Sequence, residues 1–327
     1  MIIDTRYDKM TYNRCGGSGL MLPAISLGIW HNFGDVDHYA NCKEMILTAF
    51  NLGITHLDAA NNYGPPPGSA EKTLGRILKE ELKGYRDELV ISSKAGYTMW
   101  PGPYGDWGSR KYLMASLDQS LQRLGLDYVD IFYSHRRDTN TPLEETMGAL
   151  ADMVKQGKVL YVGISRYNAE DTKKASDILK SMGIRPLIHQ VRYSMFDREI
   201  ENGVLEASQV AGMGTIAFCP LEQGMLTDKY LHGIPQGSRA DKENTFLSKD
   251  NITQEKIDKI TALNQLAKER GQTLAQMALA WVVREGGVTS AIIGASRPQQ
   301  IIENVKMIEC IGFTQDELQK IDQILKA

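Results

Sequence analysis

Short apolar runs recur along the chain, separated by longer segments in which apolar residues return every three to four positions. From residue 24 onward eight such runs stand out: 24–27, 54–58, 89–94, 128–133, 160–165, 187–191, 215–219 and 290–293. They are rich in Ile, Val, Leu or Tyr and barely alternate, as parallel strands buried on both faces do. Between them the period becomes helical. Across 38–52, Cys42, Met45, Ile46, Ala49 and Phe50 form one stripe, with Gly53 placed to end it. In 142–156, Thr141 is placed to cap, Pro142 opens the first turn, and Leu143, Met147, Leu150 and Val154 share a face before Gly157. Segments 109–124, 169–182 and 274–284 behave alike. Segments 298–307 and 314–325 predict two closing helices, the second with Thr314 and Glu317 spaced as a capping box.

Eight strands alternating with helices, and no linker-like stretch between halves, predict an α/β chain closed into one (β/α)8 TIM barrel, a single domain over 1–327. A doubly wound sheet would need a GxGxxG turn between an early strand and its helix. Gly16-Gly17-Ser18-Gly19 instead precedes the first buried run, and its flanks, 10–14 and 20–22, predict an N-terminal β-hairpin that plugs the barrel floor. Segment 223–253 has little periodicity and is rich in Gly, Lys, Asp and Ser; an ordered loop of that length is usually functional.

Composition removes several function classes. The 37 Lys and Arg against 40 Asp and Glu give a net charge of −3, so no basic surplus speaks for nucleic acid or an anionic membrane. Cys15, Cys42, Cys219 and Cys310 are scattered and form no CxxC, against a zinc knuckle or disulfide framework and for a reducing compartment. The first residues lack a signal-peptide pattern, and no apolar run reaches the length of a membrane span. A cytoplasmic protein is expected.

In a barrel, polar residues at the C-terminal strand ends face the active site. Those ends carry Asp58, then Tyr63 a few residues on, Lys94 and His135. Such a group can protonate an oxyanion as it forms: a nearby ammonium lowers a phenol's pKa, a carboxylate orients that ammonium, and an imidazole positions a carbonyl. Taken singly, each residue is equally a structural ion-pair member or a satisfied core histidine. No His-x-His pair or carboxylate cluster supplies metal ligands, so no metal is expected.

The stretch Gly53-Ile54-Thr55-His56-Leu57-Asp58-Ala59-Ala60-Asn61-Asn62-Tyr63-Gly64 resembles the first signature of the aldo-keto reductases, with Lys94 and His135 where that family's other tetrad members fall. The resemblance continues through Gly163-Ile164-Ser165, His189-Gln190, Pro220-Leu221 and Ile293-Gly294-Ala295-Ser296, nearly the whole chain. Residues 61–71 and 99–105 are similar to a bacterial branch related to the potassium-channel β-subunits. The resemblance implies NADP(H)-dependent hydride transfer to short aldehydes of the L-glyceraldehyde 3-phosphate and methylglyoxal type, with Tyr63 as general acid. The alternative is a nucleotide-binding regulatory subunit of a channel or other partner; the intact tetrad favours catalysis. A homo-oligomer is expected from the same relatives.

Position by position, the resemblance implies that Ser165 and Gln190 hold the nicotinamide amide, beside Trp30 and Arg166; much of the family has asparagine at the latter. Phe218 stacks on the nicotinamide or is simply a strand aromatic. Pro220, Leu221, Gln223, Gly224, Leu226 and Lys229 would fold over the pyrophosphate, with Arg239 near the adenine end. Gly294, Ser296, Arg297, Gln300, Glu303 and Asn304 match the adenosine-phosphate site at a helix N-terminus. Many members carry arginine at the position of Gln300 and lysine near Gly294, so here Arg297, Arg239 or Lys229 must grip a 2′-phosphate. Trp30, His31, Tyr63, Trp100 and His135 are the expected substrate residues; Tyr97, Tyr104 and Trp107 either join that wall or pack loop against loop. Arg110, Arg136 and Arg166 are candidate cations for a substrate phosphate.

Overall fold

The computed structural model describes residues 2–231, 233–235, 239–241, 247 and 251–326, with the side chain of Arg239 excepted. A hairpin of β1 (Tyr12–Arg14) and β2 (Met21–Pro23) comes first. Eight further strands follow: β3 (Ile25–Gly28), β4 (His56–Asp58), β5 (Val90–Ala95), β6 (Val129–Ser134), β7 (Val159–Ser165), β8 (Ile188–Arg192), β9 (Gly214–Phe218) and β10 (Ser290–Ile293). They pair in parallel in chain order, and β10 closes the barrel between β9 and β3, with Ser290 opposite Ile216 and Ile292 opposite Ser26. Every residue of β3, β4, β5, β6 and β10 is buried, polar residues included, as strands covered on both faces require.

The helices are α1 (Tyr39–Asn51), α2 (Ser69–Glu80), α3 (Arg110–Leu124), α4 (Leu143–Lys155), α5 (Ala169–Ser181), α6 (Val204–Ala211), α7 (Gln254–Glu269), α8 (Leu274–Val282), α9 (Pro298–Val305) and α10 (Gln315–Lys326). Helix α1 buries the stripe its period predicts, from Cys42 to Phe50. Thr314 and Glu317 exchange the two hydrogen bonds of a capping box before α10, at 2.7 and 3.2 Å. The expected cap on α4 is corrected. Pro142 itself precedes the helix, while the Thr141 hydroxyl donates to Asp138 Oδ2 at 2.6 Å, a carboxylate that also gathers the Gly108 and Asn140 amides.

Helices α2, α6 and α7 stand outside the segments named above, although α2 buries Ala70, Leu74, Ile77 and Leu78 and α7 buries Ile260, Leu263 and Ala267 at helical spacing. Helix α2 buries the charged Glu71, and its Gly75 packs so closely on the end of α3 that a Cβ there would lie 2.4 Å from the Arg123 carbonyl oxygen. Helix α6 is one short segment burying only Ala207 and Ser208. The hairpin plugs the floor as expected: Cys15 and Leu22 pack among Val90, Ile131, Ile188 and Ile216 inside the barrel. Burial there pushes the Cys15 thiol up to about 12. Among the described residues no helix is long and apolar enough to cross a membrane, and no cluster of acids, histidines and cysteines is arranged to hold a metal.

Candidate active site

Asp58 ends β4, Lys94 is the penultimate residue of β5, and His135 follows the last residue of β6. Tyr63 sits in the turn after β4. The structure brings the four together at one rim. Lys94 Nζ donates to Asp58 Oδ2 at 2.7 Å and to the Ala59 carbonyl at 2.6 Å, and lies 4.8 Å from the centre of the Tyr63 ring. Asp58 Oδ1 accepts from Ser92 Oγ at 2.7 Å and from Gln190 Nε2 at 3.1 Å. The Tyr63 and His135 rings are 6.0 Å apart and inclined by 72°.

The electrostatics correct one expectation. The Tyr63 phenol is held well above 10, by burial first and by the Asp58 charge second. The ammonium that was to lower it is fully buried and committed to Asp58; burial pulls its own pKa down while Asp58 and Glu71 oppose. Tyr63 is therefore protonated throughout the neutral range. It becomes a useful donor only when negative charge develops beside it. His135 is pushed well below 6.5 by burial and by the positive charges of Lys94, Arg166 and Arg136. A neutral imidazole results, able to donate one N–H, and its buried Nδ1 has no partner among the described residues.

Two further histidines, His56 and His189, are buried and neutral too, pushed down to about 4 and about 3 by burial. Unfolding exposes all three to protonation below about pH 6.5, so their share of stability is present above that value and is lost as pH falls. Together they should remove about 4 kcal/mol of stability between about pH 7 and about pH 5.5. Urea unfolding at the two values checks this; equal stabilities would refute it.

The residues expected around a cofactor occupy a connected arc of the same rim. Ser165 ends β7 and is buried; Gln190, in β8, spends its amide N–H on Asp58. Arg166 adopts φ +59°, the left-handed region asparagine tolerates better than arginine. Its Nη1 donates to the Tyr97 hydroxyl at 3.1 Å, and its guanidinium lies 5.9 Å from the half-buried Phe218 ring. Backbone strain recurs just beyond, at Cys219 with φ +56° and Gln223 with φ +57°. Pro220 is buried and Leu221, Gln223 and Gly224 are half-buried, whereas Leu226 is fully buried and has only its backbone to offer a ligand. Lys229 is exposed. The side chain of Arg239 lies outside the described residues.

Beyond β10, space opens above Gly294, where a Cβ would meet nothing within 4 Å. Arg297 stands at the N-cap of α9 without a side-chain cap; Pro298 has no N–H and the Gln300 amide donates to the Arg297 carbonyl at 3.2 Å, which leaves Gln299 to offer an anion the first amide of that turn. Ser296 and Arg297 are exposed, while Gln300 Oε1 clasps the Ser296 amide at 2.8 Å. Glu303 pairs with Lys306 and receives Gln299, and Asn304 is buried. A flat ring at Phe218, amide and hydroxyl groups at Gln190 and Ser165, and an uncapped helix start beside open space fit a nicotinamide dinucleotide.

The aromatic cluster divides. Trp30 stacks on His31 at 4.2 Å and lies 6.2 Å from Tyr63, and Tyr97 meets His135 edge-on at 4.6 Å. Trp100 instead packs edge-on against the buried Tyr112, Trp107 lies under Arg136, and Tyr104 beside Lys111. Within this second group Tyr104 and Trp107 remain exposed. Of the candidate cations, Arg110 is paired with Asp152 and Arg136 with Asp106, both at 2.8 Å. Arg166 has no carboxylate partner among the described residues. The Ser92 and Gln190 contacts to Asp58 were not anticipated. The signal for Ser92 was its place two residues before Lys94, which puts both on one face of β5.

Residues 24–326 match the profile of the Aldo/keto reductase family. The chain is 54% identical over 322 residues to the L-glyceraldehyde 3-phosphate reductase of Escherichia coli (strain K12), covering 97% of this chain and 93% of the relative. It is 38% identical over 323 residues, covering 95% and 92%, to the "Putative voltage-gated potassium channel subunit beta" of Schizosaccharomyces pombe.

Proposed function

The chain belongs to the aldo/keto reductase family, and we propose that it reduces short, phosphorylated or dicarbonyl aldehydes with NADPH. It would do so in the cytoplasm, as one domain over residues 1–327. The observation that carries the reading is the packing of protonated Tyr63, the Asp58–Lys94 pair and neutral His135 around one point of the barrel rim. NADPH, when bound, supplies the hydride.

His135 would donate its N–H to the aldehyde oxygen and fix the carbonyl against Tyr63. As negative charge grows on that oxygen, Tyr63 would give up its proton, and the adjacent Lys94 ammonium would stabilise the phenolate left behind. Asp58 would keep Lys94 charged and aimed. Ser165, Gln190 and Phe218 would hold the nicotinamide ring, with Trp30 and Tyr97 walling the substrate side. Arg166, a cation with no carboxylate partner among the described residues, would attract a phosphorylated aldehyde. Arg297 at the start of α9 and Lys229 in the long loop are the candidates for a 2′-phosphate, since Gln300 and Gly294 bring no charge.

The test is oxidation of NADPH and of NADH with L-glyceraldehyde 3-phosphate, methylglyoxal and an aromatic aldehyde. We expect NADPH and the short aldehydes to give turnover within the enzymatic range of about 1 to 10³ per second. Tight NADPH binding with turnover below about one per minute on every aldehyde would sink the reading. That result would favour the alternative, a nucleotide-binding regulatory subunit; the Schizosaccharomyces pombe relative is named as a channel subunit.

A further inference from the structure

His56 stands two residues before Asp58 in β4, and Ser92 two before Lys94 in β5. Because side chains alternate along a strand, each shares the inward face of the barrel with its partner above. Beneath the rim a row of fully buried polar groups crosses four strands. Ser290 Oγ is 2.7 Å from Ser26 Oγ, Ser26 Oγ is 2.9 Å from His56 Nδ1, and His56 Nε2 is 3.0 Å from Ser92 Oγ. Ser92 Oγ in turn reaches Asp58 Oδ1 at 2.7 Å.

Taken alone, the three links among the serines and His56 leave the proton's position open. Taken together they allow one arrangement. The carboxylate of Asp58, paired with Lys94, only accepts, so the single hydroxyl proton of Ser92 is spent on it. Ser92 Oγ must then accept from His56, which places the imidazole proton on Nε2 and leaves Nδ1 an acceptor. Ser26 donates to that Nδ1, and Ser290 donates to Ser26. Every proton in the row points toward Asp58.

We propose that His56 is a positioning residue for the reaction: as its Nε2–H tautomer it holds the Ser92 proton on Asp58, and so keeps Asp58 and Lys94 aimed at Tyr63. Two charged groups act on the ring: Asp58 favours its protonated form, and Lys94 acts with burial, the largest influence, to keep it neutral. Without an N–H at this point Ser92 is free to turn away. Asp58 would then retain Gln190 and Lys94 as side-chain donors. The consequence for turnover rests on the reductase reading; the direction of the protons does not.

Nitrogen NMR of the full chain with labelled histidine decides the tautomer, the His56 signals being identified by their loss in His56→Leu. We expect a protonated Nε2 and a bare Nδ1, unchanged from about pH 5.5 to about pH 8. An Nδ1–H tautomer, or a ring that titrates in that range, overturns the proposal. In kinetics, His56→Leu should lower kcat about tenfold while KM and the NADPH dissociation constant stay within about twofold. His56→Gln, whose amide supplies an N–H and a carbonyl at similar spacing, should recover kcat to within about twofold of the parent. Equal losses in both variants, or none in His56→Leu, would make His56 a packing residue and overturn the positioning role. If the parent chain reduces no aldehyde, the positioning role falls with the reductase reading, and the tautomer is still decided by NMR.

Discussion

Tyr63→Phe should bind NADPH as the parent does and lose about 10³-fold in turnover, the size of contribution expected from a positioned general acid. The change removes one oxygen from a ring that is nearly buried, between Trp30, His135 and the Lys94 ammonium. The ring itself remains, so the packing that walls the site is retained. What disappears is the one protonated hydroxyl among the four rim residues, held protonated by burial and by the Asp58 charge. The remaining candidates are poor substitutes. His135 is neutral, and the Lys94 ammonium is turned onto Asp58 and the Ala59 carbonyl. Parental rates with methylglyoxal would show that another group delivers the proton. A loss of NADPH affinity together with turnover would instead place Tyr63 in cofactor binding.

Lys94→Met has the second large effect, and it falls on stability as well as turnover. Lys94 and Asp58 are both almost entirely removed from solvent, 2.7 Å apart. Truncating one member of a buried pair strands the other charge, which costs about 3–5 kcal/mol. Ser92 and Gln190 still donate to Asp58, so the lower end of that range is expected. Urea unfolding of Lys94→Met measures the loss. The double variant Asp58→Asn with Lys94→Met should regain most of the stability, because no unpaired charge is left, while turnover stays low. A single variant as stable as the parent would mean that Asp58 finds another cation or takes up a proton.

Much of the barrel was legible because strands buried on both faces and helices with one buried stripe leave opposite signatures. The run from Val90 to Ala95 is continuously buried, and the stripe from Cys42 to Phe50 faces inward every three to four residues. Helix α2 carries a readable stripe in Ala70, Leu74, Ile77 and Leu78, and what its sequence does not explain is the Glu71 and Gly75 buried beside it. Glu71 is buried because Arg123 and Ser93 satisfy it, and Gly75 is needed by the nearby backbone of α3. Both partners are distant in sequence, so no local pattern announces them. The Thr141 cap failed for a related reason, its hydroxyl being claimed by Asp138.

Strand ends were enough to gather Asp58, Tyr63, Lys94 and His135, because in a parallel barrel all strand ends of one polarity meet at one rim. Which way their charges act was beyond the sequence. Proximity alone predicted a Tyr63 phenol lowered by Lys94, and the folded chain raises it. Residue order gives neighbours without depth, and depth sets both the cost of a charge and where the nearest counter-charge points. The sequence by itself determined the barrel, its floor plug and the residues at its mouth. The tertiary structure alone decided that burial keeps Tyr63 protonated, that Arg166 lacks a carboxylate partner among the described residues, and that a row of hydroxyls and one imidazole turns its protons toward the site. Hydrogen-bond direction is a property of a closed network, and this network closes only when four strands stand side by side.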